Sequence, residues 1–548
     1  MRMCTASATT TRHVHADQLA LIDEDYVVFV VATTGNGEFP APARDFWRFI
    51  LRAGLPPDTL SDLHYATFGL GDSSYARYCW AARMLNRRLA GLGAREFLPA
   101  GEADDQHALG VDGELEPWLE RFTAWLDEKM PLPAGVTPIP DSEMLPPQVT
   151  AHVEEAGAPA AAPPLPTAVV ERNERMTAAD HFQDVRLVAV SGAGAFRPGD
   201  VAALLPENDP ARVSALLERL GWADDADKRL VLHTQRALPP SLAEECACGS
   251  LTLRRLLTHH LDPFGVAQRS FFELLRFFCP QDHMEHERLC EFLQPGEGTD
   301  DMYAYAQRER RTMAEVLDEF RSADVPLAYA AELFPFMRER QYSIASDGGA
   351  AELAVAVVHY RTRIRAPRIG TASAWLARVA PGTRIRARIV PGTLDMPDVR
   401  TPVVAIGPGT GIAPIRSLMR ARVAAGAADE LNYVFAGCRD RAKDFLFGAE
   451  WEALADKGAV RLHVAPSREQ AHKIYVQDRL REAGAHVWDA VAARRGAVYL
   501  CGSSGRMPEQ VRAAFQELAQ THGGLDAEQA ERYMRALERD RRWQEECW

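Results

Sequence analysis

The chain has 548 residues, 47% of them hydrophobic and 25% charged, with a formal net charge of −14. That length exceeds what one hydrophobic core organises and implies three or four ordinary globular domains. The surplus of acid argues against a nucleic-acid partner, and no apolar run approaches the roughly 18 residues that a membrane helix needs.

The nine cysteines are scattered, and only Cys246 and Cys248 lie close together. Neither a disulfide framework nor a metal site is indicated, and a reducing compartment fits best. The polar opening from Met1 to Ala16 lacks the apolar segment of a signal peptide, so the expected location is the cytosol.

Tyr26 to Ala32 is a β-branched and aromatic run of the kind that forms a buried parallel strand, and it ends in Thr33-Thr34-Gly35-Asn36-Gly37. Tyr65 to Leu70 repeats the pattern and ends in Gly71-Asp72-Ser73-Ser74-Tyr75, and a third passage reaches Ala103-Asp104-Asp105-Gln106-His107. Three polar loops would then gather at the carboxyl edge of an open sheet, where doubly wound folds bind ligands. Each loop alone reads equally as turn chemistry. Upstream of Tyr26, the hydroxyl-rich Thr5 to Thr11 has no strand before it and no glycine, so a first strand and its phosphate loop are expected to be missing.

Residues 131–166 hold ten prolines amid alanine and polar residues, which predicts an extended linker. Phe182 to Val188 then alternates like a half-buried strand, and Arg197-Pro198-Gly199-Asp200 turns into Val201 to Leu205, the start of an antiparallel barrel. Helical patterns between about 209 and 336 interrupt it, including Ser214 to Leu220, Leu253 to Leu261 and Met313 to Phe320. The barrel resumes at Arg340-Gln341-Tyr342-Ser343. Alternate strand residues share a face, so Arg340 and Tyr342 can meet one ligand, the first as a cation and the second as a ring. The plainer reading is an exposed Arg beside a core Tyr. Gly370-Thr371-Ala372-Ser373 precedes a helical stretch and supplies a second anion-binding helix start.

In Val403 to Arg416 an apolar run meets Gly407, Gly409 with Thr410, and Gly411, and becomes a helix. This suits a nucleotide phosphate, although the spacing is not the dinucleotide fingerprint. Tyr433 to Cys438 is a further strand ending in Arg439, and Leu462 to Pro466 leads into Ser467 and Arg468. Ser467, Arg468, Lys473 and Tyr475 offer two cations and two hydroxyls to an extra 2′-phosphate, which favours NADPH. A solvated polar turn is the plainer alternative. Tyr499 to Gly502 places Cys501 at the same sheet edge, as a nicotinamide neighbour or a small core residue, and Trp548 reads either as a ring cover or as a frayed end.

In this order, over nearly the whole chain, these motifs resemble the diflavin reductases. The resemblance extends to the soluble NADPH-dependent diflavin oxidoreductases of cytosolic iron–sulfur protein assembly through Ala32 to Gly37, Asp45 to Phe49, Gly69 to Tyr75, Asp104 to His107, Arg338 to Ser346 and Ser467 to Gln477. Thr34 stands where microsomal relatives carry an aromatic residue. The implied fold is a multidomain α/β plus β-barrel chain. Residues 1–130 form a flavodoxin-like FMN domain incomplete at its start, and 131–166 the linker. Residues 167–394 form a ferredoxin-reductase-type FAD barrel with the helical insertion, and 395–548 a Rossmann-like NADPH domain.

The implied FMN contacts are Thr33, Thr34, Gly35, Asn36, Gly37, Leu70, Gly71, Asp72, Tyr75 and Asp104. FAD would be held by Arg340, Tyr342, Ser343, Gly370, Thr371, Ala372, Ser373 and Trp548. NADPH would meet Gly409, Thr410, Gly411, Arg439, Ser467, Arg468, Lys473, Tyr475 and Gln477. Ser343, Cys501, Glu546 and Trp548 would surround hydride transfer, and electrons would pass from NADPH to FAD to FMN and on to the iron–sulfur protein anamorsin. The absence of a first strand and phosphate loop predicts FMN content well below that of FAD. A single-flavin NADPH reductase with a vestigial first domain, and a redox-silent interaction protein, remain alternatives.

Overall fold

A computed structural model describes residues 18–35, 37–75, 77–133, 135–154, 168–234 and 236–548. The segment Thr5 to Thr11, on which the expected loss of the first strand turns, and the FMN candidate Asn36 lie outside the described residues. The chain divides into two compact units, Met1–Met144 and Leu145–Trp548.

In the first unit the apolar runs form β1 (Tyr26–Ala32), β2 (His64–Gly71) and β3 (Arg95–Asp104), parallel and in the order β1-β2-β3. Because side chains alternate, β2 serves two cores. Tyr65 packs with Phe29, Phe46 and the helix residues Leu85 and Leu89 on one face. Ala66 and Phe68 pack with Trp118 and Phe122 on the other. Helices thus cover both faces, and all three strands aim their carboxyl ends the same way.

In the second unit the strands follow as β4 (Val149–Val153), β5 (Ala168–Arg175), β6 (Val185–Ser191), β7 (Val201–Leu204), β8 (Leu230–Thr234), β9 (Arg340–Ser343), β10 (Ala351–Ala356), β11 (His359–Tyr360), β12 (Arg368–Ile369), β13 (Arg384–Ile385) and β14 (Ala387–Val390). The barrel layers are β10-β6-β5-β13 and β14-β7-β9, closed over Val170, Val188, Leu204, Leu353 and Trp375. Helices from Pro210–Arg219 to Ala330–Leu333 fill the interval between β7 and β9, as the helical patterns predict.

Two local expectations change. Phe182 is not a strand residue: β6 begins at Val185, and Phe182 lies in the preceding turn, 70% exposed. Within the proline-rich stretch, Val149–Val153 pairs antiparallel with β8, and Val149 and Ala151 are fully buried. Alternating small apolar residues are enough to add a strand once a partner edge is present, whatever the surrounding composition.

The last lobe holds β15 (Val403–Pro408), β16 (Asn432–Cys438), β17 (Arg461–Pro466), β18 (Ala497–Gly502) and β19 (Trp543–Cys547), all parallel, in the order β17-β16-β15-β18-β19. The chain winds one way from β15 to β17 and the other way through β18 and β19, so the crevice between β15 and β18 is the topological switch point. The final strand is a surprise in a sequence as polar as Trp-Gln-Glu-Glu-Cys. It is held by Trp543, 3% exposed and edge-on to Phe515, and by Gln544, which donates to the Tyr499 hydroxyl at 3.2 Å.

Candidate flavin and nucleotide sites

At the switch point the backbone dictates glycine. Gly409 sits at φ 58°, and a Cβ on Gly411 would lie 2.0 Å from the Cys501 carbonyl oxygen. The turn can therefore press against β18 only without side chains. The helix that follows, Ile412–Ala424, is locked to the barrel through Arg416, which is 5% exposed. Its guanidinium donates to Glu352 at 2.6 Å, to Glu450 at 2.8 Å and to the Ala345 carbonyl at 3.0 Å. Ser417 donates to the Ser346 carbonyl at 2.5 Å. These bonds fix the segment just after Ser343 against the nucleotide helix.

Strand pairing brings the redox candidates together. Cys501 of β18 lies opposite Glu546 of β19, and Ser343 is the neighbouring side chain that favours the ionised form of that carboxyl. Burial pushes the Glu546 carboxyl up to about 7, with the Ser343 hydroxyl pulling the other way. Its Oε2 is buried without a hydrogen-bond partner. Cys501 is wholly buried, which pushes its thiol well up, and the Glu546 charge adds to this. Trp548 is tied to the same edge: its N–H donates to the Gly502 carbonyl at 3.0 Å and its carbonyl accepts from Ser504 at 3.0 Å, leaving the residue 49% exposed.

On the barrel, Arg340 donates to the Arg338 carbonyl at 2.6 Å and stands 3.8 Å from Asp262. Tyr342 packs partly against the barrel core, and burial raises its hydroxyl to about 12. Gly370 caps the helix Thr371–Arg378. The Ser373 hydroxyl is turned inward, accepting from Val358 N–H at 3.0 Å and donating to the Gly370 carbonyl at 3.4 Å, so backbone amides are what this helix start offers a ligand. Beside it opens a cavity of about 550 Å³, lined among others by Arg212, Phe264, Arg310, Val358, Tyr360 and Gly370. Tyr360, exposed at 45%, escaped the sequence reading because a lone Tyr after Val-Val-His carries no pattern.

Three comparisons with protein-family models cover the chain: flavodoxin over residues 4–118, an FAD-binding domain over 166–375 and an oxidoreductase NAD-binding domain over 405–513. The NADPH-dependent diflavin oxidoreductase 1 of Mycosarcoma maydis is 42% identical over 97% of this chain and 92% of its own length. Those of Xenopus laevis and Schizosaccharomyces pombe are 38% and 35% identical, over 96% and 95% of this chain. The chain belongs to the NADPH-dependent diflavin oxidoreductases. It is an NADPH-dependent flavin oxidoreductase with flavodoxin (FMN), FAD-binding and NAD(P)-binding domains.

The residues fit those groups to different degrees. For FAD, the amides at Gly370, the adjoining cavity and the orphaned Glu546 oxygen supply phosphate donors, volume and an unmet polar partner. For NADPH, Arg468, Lys473 and Tyr475 are exposed together past β17. Of the neighbouring candidates, Ser467 donates to the Cys438 carbonyl at 3.2 Å and Gln477 to Gln510 at 3.1 Å.

For FMN, the three loops do meet. Thr33 N–H donates to Leu70 at 2.9 Å, and Asp105 N–H to Gly71 at 2.9 Å. Gly37, at φ 86°, leaves no room for a Cβ, which would stand 2.6 Å from Arg77. The carboxylates, however, are spent on the loops themselves. Asp104 accepts from Ser73 at 2.8 Å and Gln106 at 3.0 Å, and Asp72 from Ser74 at 2.8 Å. Among the described residues there is no cluster of three or more metal-ligating side chains, and no helix long and apolar enough to cross a membrane.

Proposed function

We propose that this diflavin oxidoreductase takes electrons from NADPH and delivers them to an anamorsin-like iron–sulfur protein in cytosolic iron–sulfur cluster assembly. The observation that carries the redox part is the cluster of Ser343, Cys501 and Glu546 at the sheet's switch point, with one carboxylate oxygen unpartnered. Bound flavins supply hydride acceptance and one-electron release.

The chain's own residues bind, orient and exclude water. Gly409, Thr410 and Gly411 let the dinucleotide approach the helix start, while Arg468, Lys473 and Tyr475 hold its 2′-phosphate and Arg439 lies beside them. Gly370, Thr371, Ala372 and Ser373 present amides to the FAD pyrophosphate, with Arg340 as cation and Tyr342 as ring. Glu546 offers negative charge where the nicotinamide ring becomes positive, Ser343 hydrogen-bonds at the flavin edge, and Cys501 fills the wall without competing charge. Trp548 would cover the flavin ring and give way to nicotinamide. In the first unit Thr33, Thr34, Gly35, Gly37, Leu70, Gly71 and Tyr75 frame the FMN ring, and Asp72 and Asp104 hold those loops in place.

The test is anaerobic mixing with NADPH and a [2Fe–2S] protein of the anamorsin type, following bleaching of the cluster. Rapid cluster reduction is expected. Reduction of ferricyanide and cytochrome c with an unreduced cluster would overturn the acceptor assignment. Arg468→Ala tests the cofactor: NADPH should weaken far more than NADH, by roughly ten- to a hundredfold for a lost charge-assisted bond.

A further inference from the structure

The last strand carries two adjacent glutamates, Glu545 and Glu546, and the second is the one that stands opposite Cys501. One pair earlier in the same parallel register, Gln544 stands opposite Tyr499. Alternate strand residues share a face, so Gln544 and Glu546 lie on the side of Tyr499 and Cys501. Trp543 and Cys547 pack into the core on the other side. A slip of one residue would bring Glu545 opposite Cys501, so two like charges side by side do not choose the register. Glu546 does not fix itself either, since its Oε2 is buried without a hydrogen-bond partner.

Gln544 is 8% exposed, and both ends of its amide are engaged. Its Oε1 accepts from the Asp395 N–H at 2.7 Å, while its Nε2 donates to the Tyr499 hydroxyl and to the Arg541 carbonyl, each at 3.2 Å. The Tyr499 hydroxyl donates in turn to the Asp395 carbonyl at 2.6 Å. Gln544, Tyr499 and Asp395 therefore close a ring in which every donor has an acceptor. Asp395 belongs to the segment between β14 and β15, so the ring ties β19 to backbone outside its own sheet edge. In a slipped register the amide would leave both partners.

We propose that Gln544 is a positioning residue for hydride transfer, fixing the register of β19 so that the Glu546 carboxyl, and not that of Glu545, faces Cys501. This rests on the reading of Glu546 as the charge that answers the nicotinamide ring. Gln544 touches neither nucleotide nor flavin, and it acts through the strand it holds.

The test uses the full chain with its FAD, mixed anaerobically with NADPH while flavin bleaching is followed. Gln544→Met keeps the length of the side chain and removes both ends of the amide. The maximal rate of flavin reduction should fall about tenfold, the scale of a slightly misplaced reacting group. FAD content and the NADPH concentration for half-maximal rate should stay at parent values. Tyr499→Phe breaks the ring from β18 and should behave alike, which carries the test if Gln544→Met does not fold. Apart from any turnover, amide hydrogen exchange across β19 should quicken in both variants. In a Glu546→Gln background, adding Gln544→Met should cost less than about twofold further, because no carboxylate is left to misplace. Unchanged exchange and an unchanged maximal rate in both single variants overturn the positioning role. An equal fold-loss with and without Glu546 overturns it as well, since the ring then only stabilises the strand. Glu546→Gln reducing flavin at the parent rate is a different failure, which removes the role of Glu546 and the positioning role with it.

Discussion

The two ligand edges of this molecule use their carboxylates in opposite ways. At the flavodoxin edge Asp104 spends its Oδ1 on the amides of Ser73 and Gln106. Burial pushes its carboxyl upward, but the bonds from Ser73 and Gln106 outweigh that and hold it below the usual range. At the reductase edge Glu546 keeps one oxygen without a partner, and burial takes its carboxyl up to about 7. A carboxylate saturated by loop amides is a fastener, while one left unmatched in a dry crevice is available to answer charge that appears during a reaction. Both sit at carboxyl ends of parallel strands, so place in the fold alone does not separate them.

Breaking the available carboxylate should have the largest effect. Glu546→Gln keeps the shape and removes the charge, and kcat with NADPH should fall about a hundredfold, the scale of losing one preorganised electrostatic partner. FAD content should stay unchanged, and a kcat within threefold of the parent would contradict the role. The ionised form is the useful one, so parent kcat should rise as pH climbs through about 7, and the variant should show no such step. Stability runs the opposite way. A carboxyl whose folded value lies above its unfolded one costs nothing below roughly pH 4 and destabilises progressively as pH rises through about 7. Thermal melts should therefore lose ground over that window in the parent and not in Glu546→Gln.

The lock behind the site comes next. Arg416→Met leaves Glu352 and Glu450 without their buried cation, and unfolding free energy should drop by about 3 kcal/mol, read by denaturant titration. At the other edge, Asp104→Ala removes the fastener, and FMN affinity should fall about tenfold by flavin fluorescence while FAD and ferricyanide reduction stay intact. The Asp104 contribution is present above the unfolded carboxyl value and is lost as pH falls through its lower folded one, so the difference in FMN affinity between parent and variant should shrink at acid pH.

Much of this was legible in the sequence where a backbone constraint shows as residue type. Gly409 and Gly411 mark a turn pressed on β18, and the apolar runs of β2, β15 and β16 announce buried parallel strands, whereas that of β1 forms a parallel edge strand with Val30 65% exposed. What escaped depends on partners distant in the chain. The terminal Trp543–Cys547 becomes a strand because β18 offers an edge and Phe515 a contact. Val149–Val153 forms a strand because β8 is there to receive it. Ser373, Ser467 and Gln477 have the right chemistry for ligands, yet their side chains complete internal bonds, and hydroxyls and amides look the same in a sequence either way. Phe182 was misplaced for a related reason, since alternation continues through Gln183 and Asp184 and does not mark where the turn ends and the strand begins.

The smallest expected effect concerns the ring cover. Trp548 is anchored through its backbone to Gly502 and Ser504, one residue beyond Cys501, and remains half exposed. If its indole must leave before nicotinamide can settle, its removal helps whichever nucleotide has less binding energy to spend on displacement. NADPH has the 2′-phosphate contacts in reserve and NADH does not. Trp548→Ala should therefore raise NADH turnover relative to NADPH by roughly fivefold, a shift of less than 1.4 kcal/mol. Coupling it to Arg468→Ala sharpens the point. With the phosphate contact gone both nucleotides face the indole on equal terms, so removing Trp548 in that background should speed both alike. A turnover ratio that Trp548→Ala leaves unchanged in the parent would mean that the indole is not in the nicotinamide's path.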